Sequence, residues 1–242
     1  MNKPKFSIVM AHYNRFDLLL KTLNSIFNIH QYKDVDVVVV DDASSNLKSK
    51  EDIFNFPVKY IQLPSNKWYC NPVIVYNVGI EYAESDIIVI QNPECYHFDN
   101  LYDEIVSVND DQLKSFSCYS IDSNTKIEDL KKNEFQNRSA SFDGDLGWYA
   151  HSQFNPRPYH FCSAINRNSL YKINNFSREY AYGCAYDDDD FVSKCRRLNF
   201  KIEIVDSHSV IHQYHYSDPS IDNWKIGDKI NLNRNIFMRK FS

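Results

Sequence analysis

Asn92, Pro93 and Glu94 set an amide and a carboxylate on either side of a rigid proline, one residue after the strand-like stretch 86–90. If the segment is extended, residues two apart face the same side, so both oxygens can point at one cation. A hard divalent ion prefers such oxygen donors and can bridge them to a diphosphate. A strand-ending turn with a solvated Glu accounts for the same residues. A second acidic element, Asp187, Asp188, Asp189 and Asp190, stands at a helix start before Phe191, where the helix dipole favours negative charge. A helix turns about 100° per residue, so the four carboxylates cannot all serve one ligand. Their crowding should raise at least one pKa and favour a base near neutral pH. Capping and a solvated acidic face are the alternatives, while Gly183 and the surrounding aromatics speak for a shaped pocket.

Two further pairs carry chemistry. Asp41 and Asp42 close an apolar strand and can accept hydrogen bonds from a ribose or a base amide, or cap the turn in DDASSN. His212 and His215 lie in VIHQYH at 210–215. A histidine at a strand end can ligate a metal through a neutral ring nitrogen, or simply pack. The metal reading requires Glu94 nearby.

The elements that position these groups follow from periodicity. Residues 6–11 form a short apolar run, and Leu19, Leu23, Ile26 and Phe27 then recur at helical spacing. Residues 35–40 hold five valines in six positions without alternation, the mark of a strand buried on both faces. A third strand is predicted over 58–63, a helix over 73–83 and a fourth strand over 86–90. Strands separated by helices imply a parallel sheet, whose ligands gather at the carboxyl ends of the strands. The second half is less regular. Residues 109–137 are polar, and 139–158 are rich in Gly, Trp, Tyr and His; both read as strands and loops covering the site. A strand is predicted over 161–166, a helix over 189–198, and two short strands over 202–205 and 210–212. The tail from 217 offers Trp224, Ile226, Ile230, Ile236 and Phe237 as docking residues.

The 242 residues, without internal repeat or linker, fit one α/β domain. It divides into a regular half at about 1–98, a less regular half at about 99–216, and a tail at 217–242. A net charge of −5 excludes a general basic surface for nucleic acid. No apolar run approaches the length of a membrane span, and residues 1–6 lack the layout of a signal peptide. Six cysteines without CxxC spacing predict a reduced, cytoplasmic setting.

Taken in order, these segments resemble the family 2 glycosyltransferases and their relatives with the GT-A fold. SIVMAHYNR at 7–15 is similar to the family's opening strand and loop, and VVVVDDASSN at 37–46 to its nucleotide-contacting strand end. NVGIEYAESDIIVI at 77–90 is similar to the helix and strand leading into its DxD motif. The resemblance resumes at FCSAINRNSLYKINNF, 161–176, and at GCAYDDDDF, 183–191, which looks like the GWGGEDDDL-type segment of galactosyltransferase-like C-terminal regions.

The resemblance implies a Rossmann-like, mostly parallel central sheet flanked by helices, with a smaller mixed region on the acceptor side, so that about 1–98 is the nucleotide-sugar-binding half and about 99–216 the acceptor and catalytic half. It implies a nucleotide-binding set of Ala11, His12, Tyr13, Arg15, Asp41, Asp42, Asn77 and Asn92. Asp188 becomes the base that takes the acceptor's proton, and Asp187 binds the acceptor. The DxD position reads Asn92, Pro93, Glu94 here, so one charged ligand remains, and His212 matches the late metal-binding His of several relatives. A nitrogen ligand tilts the expected divalent metal toward Mn²⁺ over Mg²⁺. Trp148, Tyr149, His151 and His215 are candidate sugar or acceptor contacts, with core packing as the alternative. The implied reaction is direct, inverting displacement from a UDP-sugar onto a hydroxyl of a glycan or other acceptor. The rivals are a metal-dependent phosphohydrolase of nucleotide sugars and a nonenzymatic sugar-nucleotide or glycan-binding module.

Overall fold

The computed structural model describes residues 3–135, 140–141, 146–215 and 223–241. Its first half alternates strand and helix: β1 (Phe6–His12), α1 (Phe16–Asn24), β2 (Val35–Asp41), β3 (Val58–Gln62), α2 (Val73–Tyr82) and β4 (Ile87–Gln91). These strands pair in parallel in the order β3-β2-β1-β4, as the crossover argument requires. Alternation along β1 sends Ile8 and Met10 to one face, where Leu19 and Leu23 of α1 pack. Val9 goes to the other, under Val73, Tyr76 and Ile80 of α2. Val37–Val40 are fully buried, and each such side chain contributes about 1.5–3 kcal/mol, which is why this strand was legible from its valines. Gly79 lets α2 lie this close, since a Cβ there would meet Val9 Cγ1 at 2.3 Å.

The second half continues with β5 (Cys95–His97), α3 (Tyr102–Val106), β6 (Gln112–Ser120), β7 (Gly147–Ala150), β8 (Cys162–Asn166), α4 (Arg167–Lys172), α5 (Asp187–Arg197), β9 (Lys201–His212) and α6 (Asn223–Phe241). Among the described residues one sheet of nine strands runs β3-β2-β1-β4-β8-β6-β9-β5, with β7 beside β6. Strands β8, β7 and β5 run antiparallel to their neighbours, and the rest are parallel.

Two expectations for this half are corrected, over residues 112–120 and 202–212. Residues 112–120 are not a cover over the site but a fully buried strand of the sheet. Its polar side chains are satisfied inside: Lys114 on Glu104 at 2.5 Å, Ser115 on the Tyr159 carbonyl at 3.0 Å, Ser117 with Ser209 at 2.8 Å. The two short strands over 202–205 and 210–212 are one strand, β9. Its pairing with β6 jumps from Phe116↔Val205 to Ser117↔Ser209, so residues 206–208 form a bulge. The tail contains a helix, α6, in which Ile236 is buried, Phe237 packs beside it and Ile230 is exposed. The side chains of Trp224 and Ile226 lie outside the described residues. No helix among the described residues is long and apolar enough to cross a membrane.

Candidate active site

The turn after β4 carries the first cluster. Asn92 leaves the strand and turns back, with Cys95 N–H donating to its carbonyl at 3.1 Å. The extended geometry that would aim Asn92 and Glu94 at one ion is therefore replaced by a turn. Asn92 Oδ1 instead accepts the Tyr76 hydroxyl at 2.8 Å. Glu94 is almost fully buried, and its main-chain oxygen accepts the Gln213 N–H at 3.0 Å. The pairing Cys95↔His212 between β5 and β9 brings His212 alongside. Around Glu94 Oε1 stand Arg15 Nη1 at 2.6 Å, His212 Nε2 at 3.3 Å and His215 Nε2 at 3.7 Å. Burial alone would raise the Glu94 pKa. The His212 contact and the charges of Arg15, His212 and His215 outweigh it and hold the carboxyl well below the usual range.

The residues fit a divalent ion. Ligand atoms of Glu94, His212 and His215 lie within 4.8 Å of one another, and Glu94 Oε2 is buried without a hydrogen-bond partner among the described residues. One carboxylate and two imidazoles form a mixed donor set that suits a borderline metal. His215, expected as a sugar contact, belongs to this cluster. The turn is braced from behind: His97 Nε2 lies 2.8 Å from Gln91 Oε1, while Gln91 Nε2 donates to the Cys95 carbonyl at 2.7 Å. Burial, with His30 adding to it, pushes His97 down to about 3, so it stays neutral.

At the ends of β1 and β2 the candidate nucleotide contacts separate into two kinds. Asp41 is fully buried and spent: Oδ1 accepts Ser44 N–H at 2.9 Å and the Ser44 hydroxyl at 2.5 Å, and Oδ2 accepts the Tyr60 hydroxyl at 2.5 Å. The turn-capping alternative accounts for it. Asn77 is equally committed, bridging α2 to both backbone groups of Phe176 at 2.9 and 3.1 Å. Both side chains are thus buried and engaged within the fold. Asp42 remains at the surface of the cleft, held by Lys67 Nζ at 2.9 Å and the Tyr69 hydroxyl at 2.8 Å. Tyr13 is exposed beneath Lys67, 4.3 Å from Nζ to ring centroid, and Ala11 is half-buried. His12 is buried against Phe16 with no partner for either ring nitrogen among the described residues. Burial pushes its pKa down to about 4, against the pull of Asp41 and Glu94.

The second cluster sits at the start of α5, which begins at Asp187, two residues before the predicted start. Helical rotation sends Asp189 and Asp190 to partners of their own, while Asp187 and Asp188 both reach His160. Asp187 Oδ1 accepts Asn71 Nδ2 at 3.0 Å, Asp189 accepts the Tyr159 hydroxyl at 2.6 Å, and Asp190 is buried against Lys194 at 3.0 Å and Lys240 at 2.7 Å. Asp188 meets His160, whose N–H donates to Oδ1 at 2.9 Å and whose Nδ1 lies 2.6 Å from the same oxygen. His160 Nε2 lies 3.6 Å from Asp187 Oδ2. Burial and the Asp188 charge raise the Asp187 pKa, with His160 and Asn71 opposing. His160 carried no signal in the sequence: it stands 28 residues from Asp188 and precedes a strand as an ordinary polar residue.

The loops that serve the two clusters are joined. Cys70 and Asn71 N–H both donate to the Ala181 carbonyl, at 2.9 and 3.2 Å. Trp68 packs on Tyr182 at 5.0 Å, both exposed. From the other side, Asn233 of α6 donates to the carbonyls of Tyr180 and Ala185.

Of the aromatic candidates, Tyr149 alone faces the first cluster, edge-on to His212 at 4.8 Å. Trp148 points to the opposite face of β7, buried with Tyr119 and Phe135, and its indole donates to the Phe135 carbonyl at 2.8 Å. His151 packs between Trp148 and Phe154 with Asp206 3.7 Å away. The packing alternative holds for Trp148 and His151.

The profile of Glycosyl transferase family 2 matches residues 7–174. A search of curated protein sequences finds no significant match. Among solved structures, S. aureus TarS 1–349 in complex with UDP-GlcNAc aligns with a TM-score of 0.65 at 15% identity, covering 97% of this chain and 66% of TarS 1–349. GalNAc-T7 with UDP, GalNAc and Mn²⁺ aligns at 0.61 and 15% identity, covering 89% of this chain and 45% of the other. The mannosyltransferase PcManGT from Pyrobaculum calidifontis, with GDP-Man and Mn²⁺, aligns at 0.59 and 14% identity, covering 99% and 65%. The chain thus spans less than two thirds of each of these proteins, and at such identities the likeness is one of fold.

Proposed function

Because the chain belongs to glycosyl transferase family 2, we propose that it moves a sugar from a nucleotide diphosphate sugar to an acceptor hydroxyl. The observation that carries this reading is the pairing of two clusters at one end of the sheet, bridged by Tyr76. Its hydroxyl sits on Asn92 and its ring lies 5.1 Å from His160. On this reading one cluster meets the diphosphate and the other accepts the proton. UDP is the expected nucleotide, and two of the structural neighbours hold UDP or a UDP-sugar. The acceptor is a glycan or another hydroxyl-bearing molecule.

In this reading Arg15, Tyr13 and Asp42 border the nucleotide. Glu94, His212 and His215 hold a divalent ion, with Mn²⁺ preferred over Mg²⁺ because two of the three ligands are nitrogens. Such an ion would offset charge on the departing diphosphate. Asp188 takes the proton of the acceptor hydroxyl as the acceptor oxygen bonds to the anomeric carbon. The bond from that carbon to the diphosphate oxygen breaks, and its electron pair leaves with the nucleotide. A single displacement inverts the anomeric centre. Asp187, with its raised pKa and its tie to Asn71, lines the acceptor side.

The test is a screen of nucleotide sugars with and without Mn²⁺ by thermal shift, since a true donor stabilises the folded state, followed by transfer to a panel of acceptors. Mn²⁺-dependent stabilisation by one donor, with transfer that inverts the anomer, is expected. Donor hydrolysis that no acceptor diverts would point to a phosphohydrolase, and binding without turnover to a binding module; either would overturn the reading.

A further inference from the structure

Asp188 is partly exposed, with 27% of its side chain accessible, yet one of its oxygens is fully engaged. Oδ1 receives the His160 N–H at 2.9 Å and faces Nδ1 of the same residue at 2.6 Å. For Oδ2 no partner is found among the described residues. A single residue thus grips one side of the carboxylate through both its backbone and its ring. The ring itself is buried and has little freedom, set edge-on to Tyr76 at 5.1 Å and to Phe176 at 5.0 Å.

We propose that His160 is the positioning residue of the Asp188 carboxylate, fixing Oδ1 so that Oδ2 is the atom presented to the acceptor hydroxyl. This rests on the reading of Asp188 as the base.

The chemistry of the pocket supports a charged ring. A neutral imidazole in an aromatic box would leave one nitrogen facing a carboxylate without a proton to offer. Here both nitrogens face carboxylates, Asp188 at 2.6 Å and Asp187 at 3.6 Å. His160 Nδ1 and Asp188 Oδ1 stand 2.6 Å apart, the separation of a charge-assisted imidazolium–carboxylate contact. The titratable groups that face the ring are Asp187 and Asp188 from α5 and Tyr76 from α2, whose hydroxyl is committed to Asn92. Burial works against the imidazolium, but Asp188 and then Asp187 outweigh it, so the His160 pKa lies above the ordinary histidine value. A cation here offsets the repulsion between two adjacent carboxylates while one of them is held in place.

The experiment pairs NMR with kinetics. In the wild-type protein the His160 ring proton should titrate above the free-histidine range of about 6.5, and in Asp188→Asn the titration should move down. That arm needs no substrate, so it decides the pairing even if the transferase reading fails. If transfer is observed, His160→Phe, which fits the aromatic box without a donor, should lower kcat roughly 100-fold, the low end of what a positioned base contributes. Calorimetric affinity for UDP with Mn²⁺ should stay within about twofold of wild type. The acid limb of the kcat profile should shift, and His160→Asn, whose amide reaches the Nδ1 position, should recover about tenfold. A His160 titration at the ordinary value in both proteins, or a Phe variant with wild-type kcat and pH profile, would overturn the proposal. If the Phe variant does not fold, the Asn variant and the NMR arm still decide.

Discussion

Replacing Glu94 by Gln keeps the shape of the side chain and removes its charge, so it separates the carboxylate's two duties. At rest the carboxylate neutralises Arg15 at 2.6 Å and stands beside His212 and His215. Breaking a buried ion pair costs about 3–5 kcal/mol when the stranded partner is also buried. Arg15 is 36% exposed and can turn to solvent, so the figure falls to about 2 kcal/mol. For a chain of this length that is a loss of roughly 4–8 °C in Tm. The pH dependence has a definite sign. The folded pKa of Glu94 is depressed, so its contribution is complete above the unfolded value of about 4.3 and disappears as pH falls through the folded pKa. The variant should therefore lie below wild type at pH 7 and converge on it in strong acid. With Mn²⁺ present, the only charged ligand of the set is gone, and UDP affinity should fall at least tenfold, about 1.4 kcal/mol. Calorimetry of UDP binding with Mn²⁺ and with EDTA reads this directly. Equal Mn²⁺-dependent affinity in the two proteins, within twofold, would refute the metal assignment, whatever the melting curves show.

Asp188→Asn should abolish transfer, by a factor of about 10²–10⁴, while UDP binding with Mn²⁺ survives; near-normal turnover would remove Asp188 as the base. Two residues on, Asp190→Asn should cost stability instead. Burial opposes its ionisation, but Lys194, Lys240 and Ser177 depress its pKa, so the contribution is present above about pH 4 and lost in acid. Leaving two lysines facing each other should cost about 3 kcal/mol, visible in urea melts at pH 7, with transfer at 25 °C retained. Gly183→Ala should lower Tm as well, by about 1–3 kcal/mol of overpacking, because the new Cβ would stand 2.0 Å from Asn233 Oδ1. Asn233 is buried and its amide is tied to Tyr180 and Ala185, so it cannot retreat; an unchanged melt would show that it can.

What was legible depended on whether a signal was local. The valines of β2, the helical spacing of Leu19 and Leu23, and the order of strand ends all depend on near neighbours, and the first four strands follow from them. That Asp187 to Asp190 would not all meet at one place was legible for the same reason, since rotation along a helix is fixed by the backbone. Strand β6 was hidden because its serines and lysine resemble a loop until Glu104, Ser209 and Tyr159 arrive to satisfy them. His160 and His215 were hidden as site residues for a related reason. Their partners come from other strands and helices, and no spacing along the chain encodes the approach. Asp41 and Asn77 differ in another sense: each sits at a position the family resemblance marks, and in the fold each is buried and held by internal hydrogen bonds that no local spacing announces.

The seam between the loops has a thermodynamic meaning. Lys67 and Tyr69 grip Asp42, and the next two residues along, Cys70 and Asn71, donate to Ala181 and to Asp187. On the proposed reading, one continuous stretch of chain touches both the nucleotide side and the acceptor side. Any coupling carried by it would be reciprocal: the factor by which a bound nucleotide sharpened affinity for the acceptor would be the factor by which the acceptor held the nucleotide. Departure of either ligand would then loosen the other.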